Sequence, residues 1–392
     1  MKPVRDKEKI SRIRSIMRRE GVHALVSHVP ENLTYLSGAW CGRGLSFVVY
    51  PLDKDPILIL PTGETYPESW VSDIKWYTHE TFQHTGNLLD FAAEKIKRAL
   101  TELGIPPSGT IGIENAWNLF LATPMRYELN VIDGNALGRR LQGYLLKDST
   151  PLLIEARSIK SSLEIAALKK ASEMAQVGLQ TFQDRMRPKV AEIELSAEIE
   201  YDIVTEGITQ RGASQVVACA FVASGPLTAE GYKHVVGNTK RKLRPNDLVM
   251  LELDVTVDGY SSDTTRTFVV GRPNRKQKKL FDAVLDSQKT AISAIRPGVR
   301  AAEVARISND MISEHGFSAY LVHRLGHGIG VSPHEPIPAL HVESSDTLLP
   351  GMVHSVEPGI YGKRIGGVRI EDVVLDTEAG GRYLSEFQRV PE

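Results

Sequence analysis

Cysteine is scarce in this chain: Cys41 and Cys219 are the only two in 392 residues, far apart and outside any recognisable nucleophile motif. Two such residues cannot make a disulfide framework, and they fit buried thiols in a reduced, cytoplasmic protein. No apolar run approaches the ~20 residues that cross a bilayer as a helix, so no membrane span is expected. The N-terminal stretch MKPVRDKEKISRIRSIMRREG is charged throughout and lacks an apolar core, so it does not read as a secretory signal. An excess of one charge is missing too. The 47 Lys and Arg stand against 48 Asp and Glu, a formal net charge of -1, which removes the electrostatic case for nucleic acid as a partner. What remains is the composition of a globular protein, 42% hydrophobic and 24% charged.

A chain of this length is too long for one ordinary core and points to two domains. In residues 1–150 helical and strand patterns alternate. Ile10, Ile13, Ile16 and Met17 form a helical stripe ended by Gly21, and HALVS follows as a strand. GLSFVVYP and DPILILP read as a hairpin-like pair, NLLDFAAEKIKRALTELG as a helix stopped at Gly104, TIGIEN and LNVID as strands, and ALGRRLQGYLLKD as a closing helix. This is an α/β domain. It clusters no titratable groups at ligand spacing, so it is expected to shape or cover a site. A boundary falls near KDSTPLL. In residues 151–392 a capping box, Ser161 with Glu164, opens a long helix that runs to Pro188, and AEIELSAEIEYDIVTEG forms a second. Strands dominate from Ser214 to Val270. Helices around Lys278–Ile295 and Ala301–His315 then precede another strand-rich stretch, so the order of helices followed by strands occurs twice.

The chemistry concentrates in VMLELDVTVDGYSSDTTRTF, residues 249–268. Its ends read as strands, and Asp258-Gly259 is a strong signal for a two-residue hairpin, because a type I′ turn needs positive φ at both central positions. With that turn, Val257 faces Tyr260, Asp254 lies opposite Asp263, and Glu252 opposes Thr265. Alternation then puts Glu252, Asp254 and Asp263 on one face. Like charges opposed across a ladder are destabilising, so a cation between them is the better reading. Asp258 has an ordinary job as the turn residue.

More donors lie downstream. HRLGHGIGVSPHEP places His327 between Gly326 and Gly328, small enough for close approach, and His334 in a His-Glu-Pro turn. His323, His327, His334 and His341 fall within a short span. GMVHSVEPGIY and GGVRIEDVVLD each carry one acid, Glu357 and Glu371, inside an apolar strand where a lone carboxylate is costly. Arg369 shares a face with Glu371, and a salt bridge between them is the structural alternative. Asp263, His327, Glu357 and Glu371, with at least one of Glu252 and Asp254, make an oxygen-rich set with one imidazole. Such a set suits two divalent transition-metal ions, Mn, Co, Fe or Zn. Two ions about 3.5–4 Å apart can share carboxylates and activate water.

These motifs resemble those of the pita-bread metallopeptidases: Xaa-Pro dipeptidases (prolidases), aminopeptidase P and their creatinase-like relatives. The resemblance covers nearly the whole chain, with ENLTYLSG in the first part, RSIKSSLEIAALKKA opening the second, and the motifs around Asp263, His327, Glu357 and Glu371. It implies an α/β N-terminal creatinase-like domain plus an α+β C-terminal pita-bread domain, a dinuclear metallohydrolase and a homodimer. The first ligand departs from the family. Glu252, eleven residues before Asp263, stands where Asp is usual, and Asp254 stands where Gly is common. Glu252, Asp254 or both could hold metal.

By position, the resemblance makes His234 in FVASGPLTAEGYKH a substrate-orienting histidine, His334 the residue that stabilises the oxyanion, and Glu357 a ligand and proton shuttle. Arg369 would orient or neutralise the ligand shell. Prolidases place an arginine between the His-Glu and Glu-Pro-Gly motifs to grip the dipeptide carboxylate. The corresponding IPALHVESSDTLLP contains no Arg or Lys, and His341 is its only basic residue. Free dipeptides are therefore expected to be poor substrates. Cleavage of an amide bond, most simply Xaa-Pro, is the leading function. The alternatives are a non-peptidase pita-bread enzyme, such as a metal-dependent dimethylsulfoniopropionate lyase or a hydrolase of creatinase or ectoine hydrolase type, and a catalytically silent module that binds proteins.

Overall fold

A computed structural model of the chain describes residues 4–40, 45–78, 87–114, 134–233, 237–384 and 386–391. The chain divides into two compact units, Met1–Arg157 and Ser158–Glu392.

The first unit is built on a six-stranded mixed sheet. Its strands, from one edge to the other, are Asp73–Tyr77, Ile57–Pro61, Phe47–Pro51, Ala24–Ser27, Thr110–Ile113 and Leu145–Asp148. The hairpin-like pair is present, with Phe47 opposite Ile59 and Val49 opposite Ile57 in antiparallel register. Helix Leu88–Glu102 starts at Asn87, whose side chain accepts from the Leu89 N–H. It lays Ala92, Ile96, Ala99 and Leu100 on Val26, Phe47, Val49, Ile57 and Ile111. The spacing of those four residues is what gives the helix one apolar face.

One reading of this unit changes. ALGRRLQGYLLKD is not one helix: Gly134–Arg140 is helical, Gly143 takes φ 104°, and Leu145–Asp148 pairs as an edge strand with Thr110–Ile113. A glycine in that conformation ends a helix without steric cost, and the turn it makes lets the chain rejoin the sheet. The unit also buries one acid–histidine pair, while none of its described residues form a group at metal-ligand spacing. Glu114 is fully buried; it accepts from the backbone N–H groups of His28 and Val29, from Ser27 Oγ and from Asn32 Nδ2 at 2.7 Å, with His28 Nδ1 at 3.2 Å. Burial raises its pKa, but the His28 contacts and these hydrogen bonds hold it below the usual value. It serves the start of helix Pro30–Ser37, whose own N-cap is Val29 and offers no side-chain acceptor. The LNVID strand and Cys41 lie outside the described residues.

The second unit repeats helices and then strands. Helices Ser162–Arg185 and Glu192–Thr209 precede a three-stranded sheet, Val216–Ser224, Leu248–Val257 and Tyr260–Val269. Helices Arg275–Ala294 and Ala301–Glu314 precede a five-stranded sheet ordered Glu335–Leu340, Gly326–Gly328, Val353–Val356, Asp372–Thr377, Gly380–Tyr383, and a separate hairpin, Gly359–Gly362 with Gly366–Arg369. The capping box is formed: Ser161 Oγ accepts from Glu164 N, and the Glu164 carboxylate accepts from Ser161 N.

Alternation along Leu248–Val257 decides where chemistry can sit. Val249, Leu251, Leu253, Val255 and Val257 pack against Ala171, Met174, Leu179, Phe182, Leu195, Ile199 and Ile203 of the two helices. The residues between them face the other way. Gly178 allows the close approach, since a Cβ there would stand 2.5 Å from Ile203 Cδ1 and 2.8 Å from Leu253 Cδ2. The strand is covered on both faces, so its acids are buried and not solvated.

Candidate metal centre

The hairpin forms in the register expected. Asp258 and Gly259 take φ 50° and 88°, Val257 pairs with Tyr260, Asp254 with Asp263, and Glu252 with Thr265. Asp258 also accepts from the backbone N–H groups of Ser214 and Gln215 and meets Lys170 Nζ at 2.9 Å, which confirms its structural job. Cys219 pairs with Asp254 from the other neighbouring strand. It is half-buried, more open than the buried thiol expected.

His327 arrives on the short strand Gly326–Gly328, wedged between two others. A Cβ at Gly326 would lie 2.2 Å from Ser355 O, and one at Gly328 would lie 2.2 Å from Ile337 O. The glycines thus admit neighbouring backbone. Glu357 and Glu371 are not inside strands as expected. Glu357 follows Val353–Val356, and Glu371 lies between Gly366–Arg369 and Asp372–Thr377. Backbone bonds fix both, Glu357 N to Leu325 O and Glu371 N to Thr265 O, so these corners aim their carboxylates at the hairpin.

The result is one buried constellation. His327 Nε2 stands 3.5 Å from Asp263 Oδ2 and 3.3 Å from Glu357 Oε1. His334 Nε2 is 3.6 Å from Asp263 Oδ2, and the two imidazole rings lie 4.2 Å apart. Three groups each bring donor atoms within 4.8 Å of one another: Asp263 with His327 and His334, His327 with Glu357 and Glu371, and Glu252 with Asp263 and Glu371. Thr265 Oγ1 donates to Glu371 Oε2 at 2.6 Å and accepts from Arg369 Nε at 2.7 Å. Arg369 Nη2 meets Glu252 Oε2, while its Nε lies 3.8 Å from Glu371 Oε2. Tyr361 Oη, 3.4 Å from Arg369 Nη1 and 3.1 Å from His323 Nε2, continues the chain of polar contacts.

Electrostatics show what the cluster lacks. Burial and then the neighbouring Glu371 push Asp254 up to about 8, and the same causes raise Asp263 well above the carboxylate range. Burial and Glu357 push Glu371 up to about 7. Glu357 is raised too, chiefly by burial. His327 moves the opposite way, to about 4, because burial and the nearby Arg324 disfavour its cation. Its Nδ1 lies 3.1 Å from Gly328 O, and with the proton there Nε2 presents a lone pair to the acids. Both oxygens of Asp254, both of Asp263 and Oε1 of Glu371 are buried with no hydrogen-bond partner among the described residues. Buried orphan carboxylates around a neutral imidazole fit divalent cations, which would supply the missing positive charge and restore the acids to their ionised forms.

Of the residues singled out in the sequence, Glu252, Asp254, Asp263, His327, His334, Glu357, Arg369 and Glu371 converge here. His234 lies outside the described residues. His341 is exposed and accepts from Glu343 N, away from the acids. Sequence reasoning missed Thr265, Tyr361 and Arg324. Thr265 had a detectable signal, since it was already placed opposite Glu252 on the same face.

Residues 166–378 match the model of metallopeptidase family M24, and residues 9–159 match the creatinase/prolidase N-terminal domain. This chain belongs to metallopeptidase family M24. Over 97% of its length it is 30% identical to the Xaa-Pro dipeptidase of Pyrococcus horikoshii, of which it covers 98%. It is equally similar, 30% over 97% of the chain and 98% of the relative, to the putative dipeptidase YkvY of Bacillus subtilis. The crystal structure of the prolidase from Pyrococcus horikoshii superposes with a TM-score of 0.77 at 28% identity, covering 98% of this chain and 99% of that one. The M24 assignment carries the two-domain fold expected and makes the chain a metal-dependent enzyme. Among the described residues no helix is long and apolar enough to cross a membrane.

Proposed function

We propose that this chain hydrolyses the amide bond of Xaa-Pro peptides at a two-metal centre held by Asp263, His327, Glu357 and Glu371, with a further carboxylate from the Glu252–Asp254 strand. The observation that carries this is the set of buried, unpartnered carboxylate oxygens surrounding the neutral Nε2 of His327. The names of the relatives, Xaa-Pro dipeptidase among them, support the substrate class. Manganese, cobalt, iron and zinc all suit the donor set, and when bound the pair supplies Lewis acidity and an activated water.

The chain's own residues do the rest. His334 lies beside Asp263 with Nε2 facing the cluster, positioned to donate to a carbonyl oxygen as charge develops there. Glu357 is held as a carboxyl that can carry a proton: burial raises its pKa, and Ser355 Oγ, 3.2 Å away, fixes its orientation. Such a group can take a proton from the attacking water and pass it to the proline nitrogen. Arg369 and Thr265 hold Glu252 and Glu371 in place. His234 completes the reading as the group that orients substrate, and a cytoplasmic homodimer is the assembly we assign.

The deciding experiment is a screen of metal-reconstituted protein against Xaa-Pro dipeptides, longer Xaa-Pro peptides, and small amides and sulfonium compounds. Turnover of an Xaa-Pro substrate that EDTA abolishes supports the assignment. Turnover confined to the non-peptide compounds would move the protein to the lyase or small-molecule hydrolase class, for which the departure at Glu252 and Asp254 is the specific pointer.

A further inference from the structure

Asp254 has no structural partner that accounts for its burial. Only 5% of the residue is exposed, and neither oxygen has a hydrogen-bond partner among the described residues. It lies directly opposite Asp263, so two acceptor groups confront each other across the ladder. Glu252, two residues back on the same face, is in a different situation. Its Oε2 meets Arg369 Nη2, and Thr265 Oγ1 stands 3.4 Å away. One acid on this strand has its counter-charge already, and the other has none.

We propose that Asp254 binds one of the two cations directly, alongside Asp263, and that Glu252 is drawn back as the counter-ion of Arg369. This deepens the metal-dependent reading and rests on it. Strand geometry supports the exchange. Asp254 is the cross-strand partner of Asp263, whereas Glu252 is diagonal to it and opposite Thr265. Directly opposed residues have Cβ atoms about 4.5–5.5 Å apart, short enough for two aspartates to converge on one ion; diagonal pairs are about 7–8 Å apart. A glutamate at the diagonal position can reach with its extra methylene, and Glu252 does bring an oxygen within 4.8 Å of Asp263 and Glu371. Its Oε2 also meets Arg369 Nη2, a counter-charge that Asp254 lacks. Asp263 is also flanked by His327 and His334, so a cation between the two aspartates has nitrogen donors near at hand.

The test compares wild type, Asp254→Asn and Glu252→Gln, each stripped and reconstituted with Mn²⁺. Ions per chain are counted by elemental analysis, and the exchange-coupled signal of a manganese pair is followed by electron paramagnetic resonance. Wild type and Glu252→Gln are expected to hold two ions with the coupled signal. Asp254→Asn is expected to hold one, the second binding at least about tenfold more weakly, with the coupled signal lost. Two ions in Asp254→Asn overturn the proposal, as does loss of an ion in both variants or in Glu252→Gln alone. Should Glu252→Gln fail to fold, Asp254→Asn against wild type decides. No bound ion in wild type overturns the metal reading itself, an outcome distinct from all the others.

Discussion

Arg369 and Glu371 are joined through a hydroxyl. Thr265 Oγ1 accepts from Arg369 Nε at 2.7 Å and donates to Glu371 Oε2 at 2.6 Å, while the direct Nε–Oε2 separation is 3.8 Å. The salt bridge that the sequence offered as an alternative for Glu371 is thus relayed, and Glu371 keeps Oε1 for another partner.

Thr265→Val removes that relay while nearly keeping the shape. It leaves the Glu371 carboxylate without its donor and Arg369 Nε without its acceptor, both buried. Metal affinity is expected to fall about 10–100-fold, the usual effect of removing an orienting group behind a ligand. Thr265→Ser should restore most of it. Calorimetric titration with Mn²⁺ measures both, and equal loss in the two variants would show that packing of the methyl group matters and the hydroxyl does not.

Stability should respond to pH in opposite ways with and without metal. In the metal-free protein Asp254 is raised to about 8 and Glu371 to about 7, far above their unfolded values. A raised carboxyl binds its proton more tightly in the folded state, so its contribution is full below about pH 4 and is lost as pH rises through 7 to 8. Metal must displace those protons, so affinity rises over the same interval and protons are released on binding. Melting temperature of EDTA-treated protein is therefore expected to drop between pH 5.5 and 8, and saturating Mn²⁺ to recover most of the loss at pH 8. A flat metal-free profile would mean that the acids are already ionised and compensated by groups within the chain.

Much of this site could be read from the sequence because it is built on one hairpin. Asp258-Gly259 defines a two-residue turn, and a period of two then leaves no freedom in which side chains share a face; the pairing of Asp254 with Asp263 follows from counting. Glu357 and Glu371 were recognisable as costly acids in apolar surroundings, but not as corner residues, because where a strand ends depends on backbone bonds to Leu325 and Thr265, distant in sequence. The same limit hid the edge strand at Leu145–Asp148. Periodicity within LQGYLLKD is compatible with helix, and only pairing with Thr110–Ile113 decides against it. Arg324 and Tyr361 lie inside the motifs around His327 and Glu357, but nothing in their spacing assigned them a role; the fold brings them to the acids.

Gly367 ties a loop to this site. Its N–H donates to Thr228 Oγ1 at 2.9 Å, and a Cβ there would stand 2.0 Å from Thr228 O and 2.9 Å from Tyr361 Cδ1. Thr228 belongs to the short turn of helix Gly225–Glu230, followed by Tyr232, whose ring meets Tyr361 edge-on at 5.3 Å. Gly367→Ala must push that loop away, at about 1–3 kcal/mol of stability. KM is expected to rise several-fold while two ions stay bound. Unchanged KM and melting temperature would show that the loop adjusts freely and does not shape the substrate site.

A substrate carboxylate in a closed site needs a cation. The loop between His334 and Glu357 has no Arg or Lys, which led to the expectation that free dipeptides are poor substrates. The structure places another guanidinium within the same unit. Arg324, half-buried and three residues before His327, has its pKa lowered by burial and raised by Glu357 and Asp263, the two acids whose charge reaches it. Arg324 is thus a cation whose charge is felt by two acids of the cluster, and the role assigned to it here is pairing with the product carboxylate. If it serves that anion, a charge-assisted hydrogen bond worth about 1.5–3 kcal/mol is at stake, or about 10–100-fold in KM. Arg324→Met should therefore raise KM for Ala-Pro by that factor and change KM for the C-terminal amide, Ala-Pro-NH₂, much less. Equal losses on both substrates would assign Arg324 to balancing the charge of Glu357 and Asp263. A wild-type enzyme that ignores Ala-Pro and cleaves only longer or uncharged substrates would restore the expectation drawn from the loop.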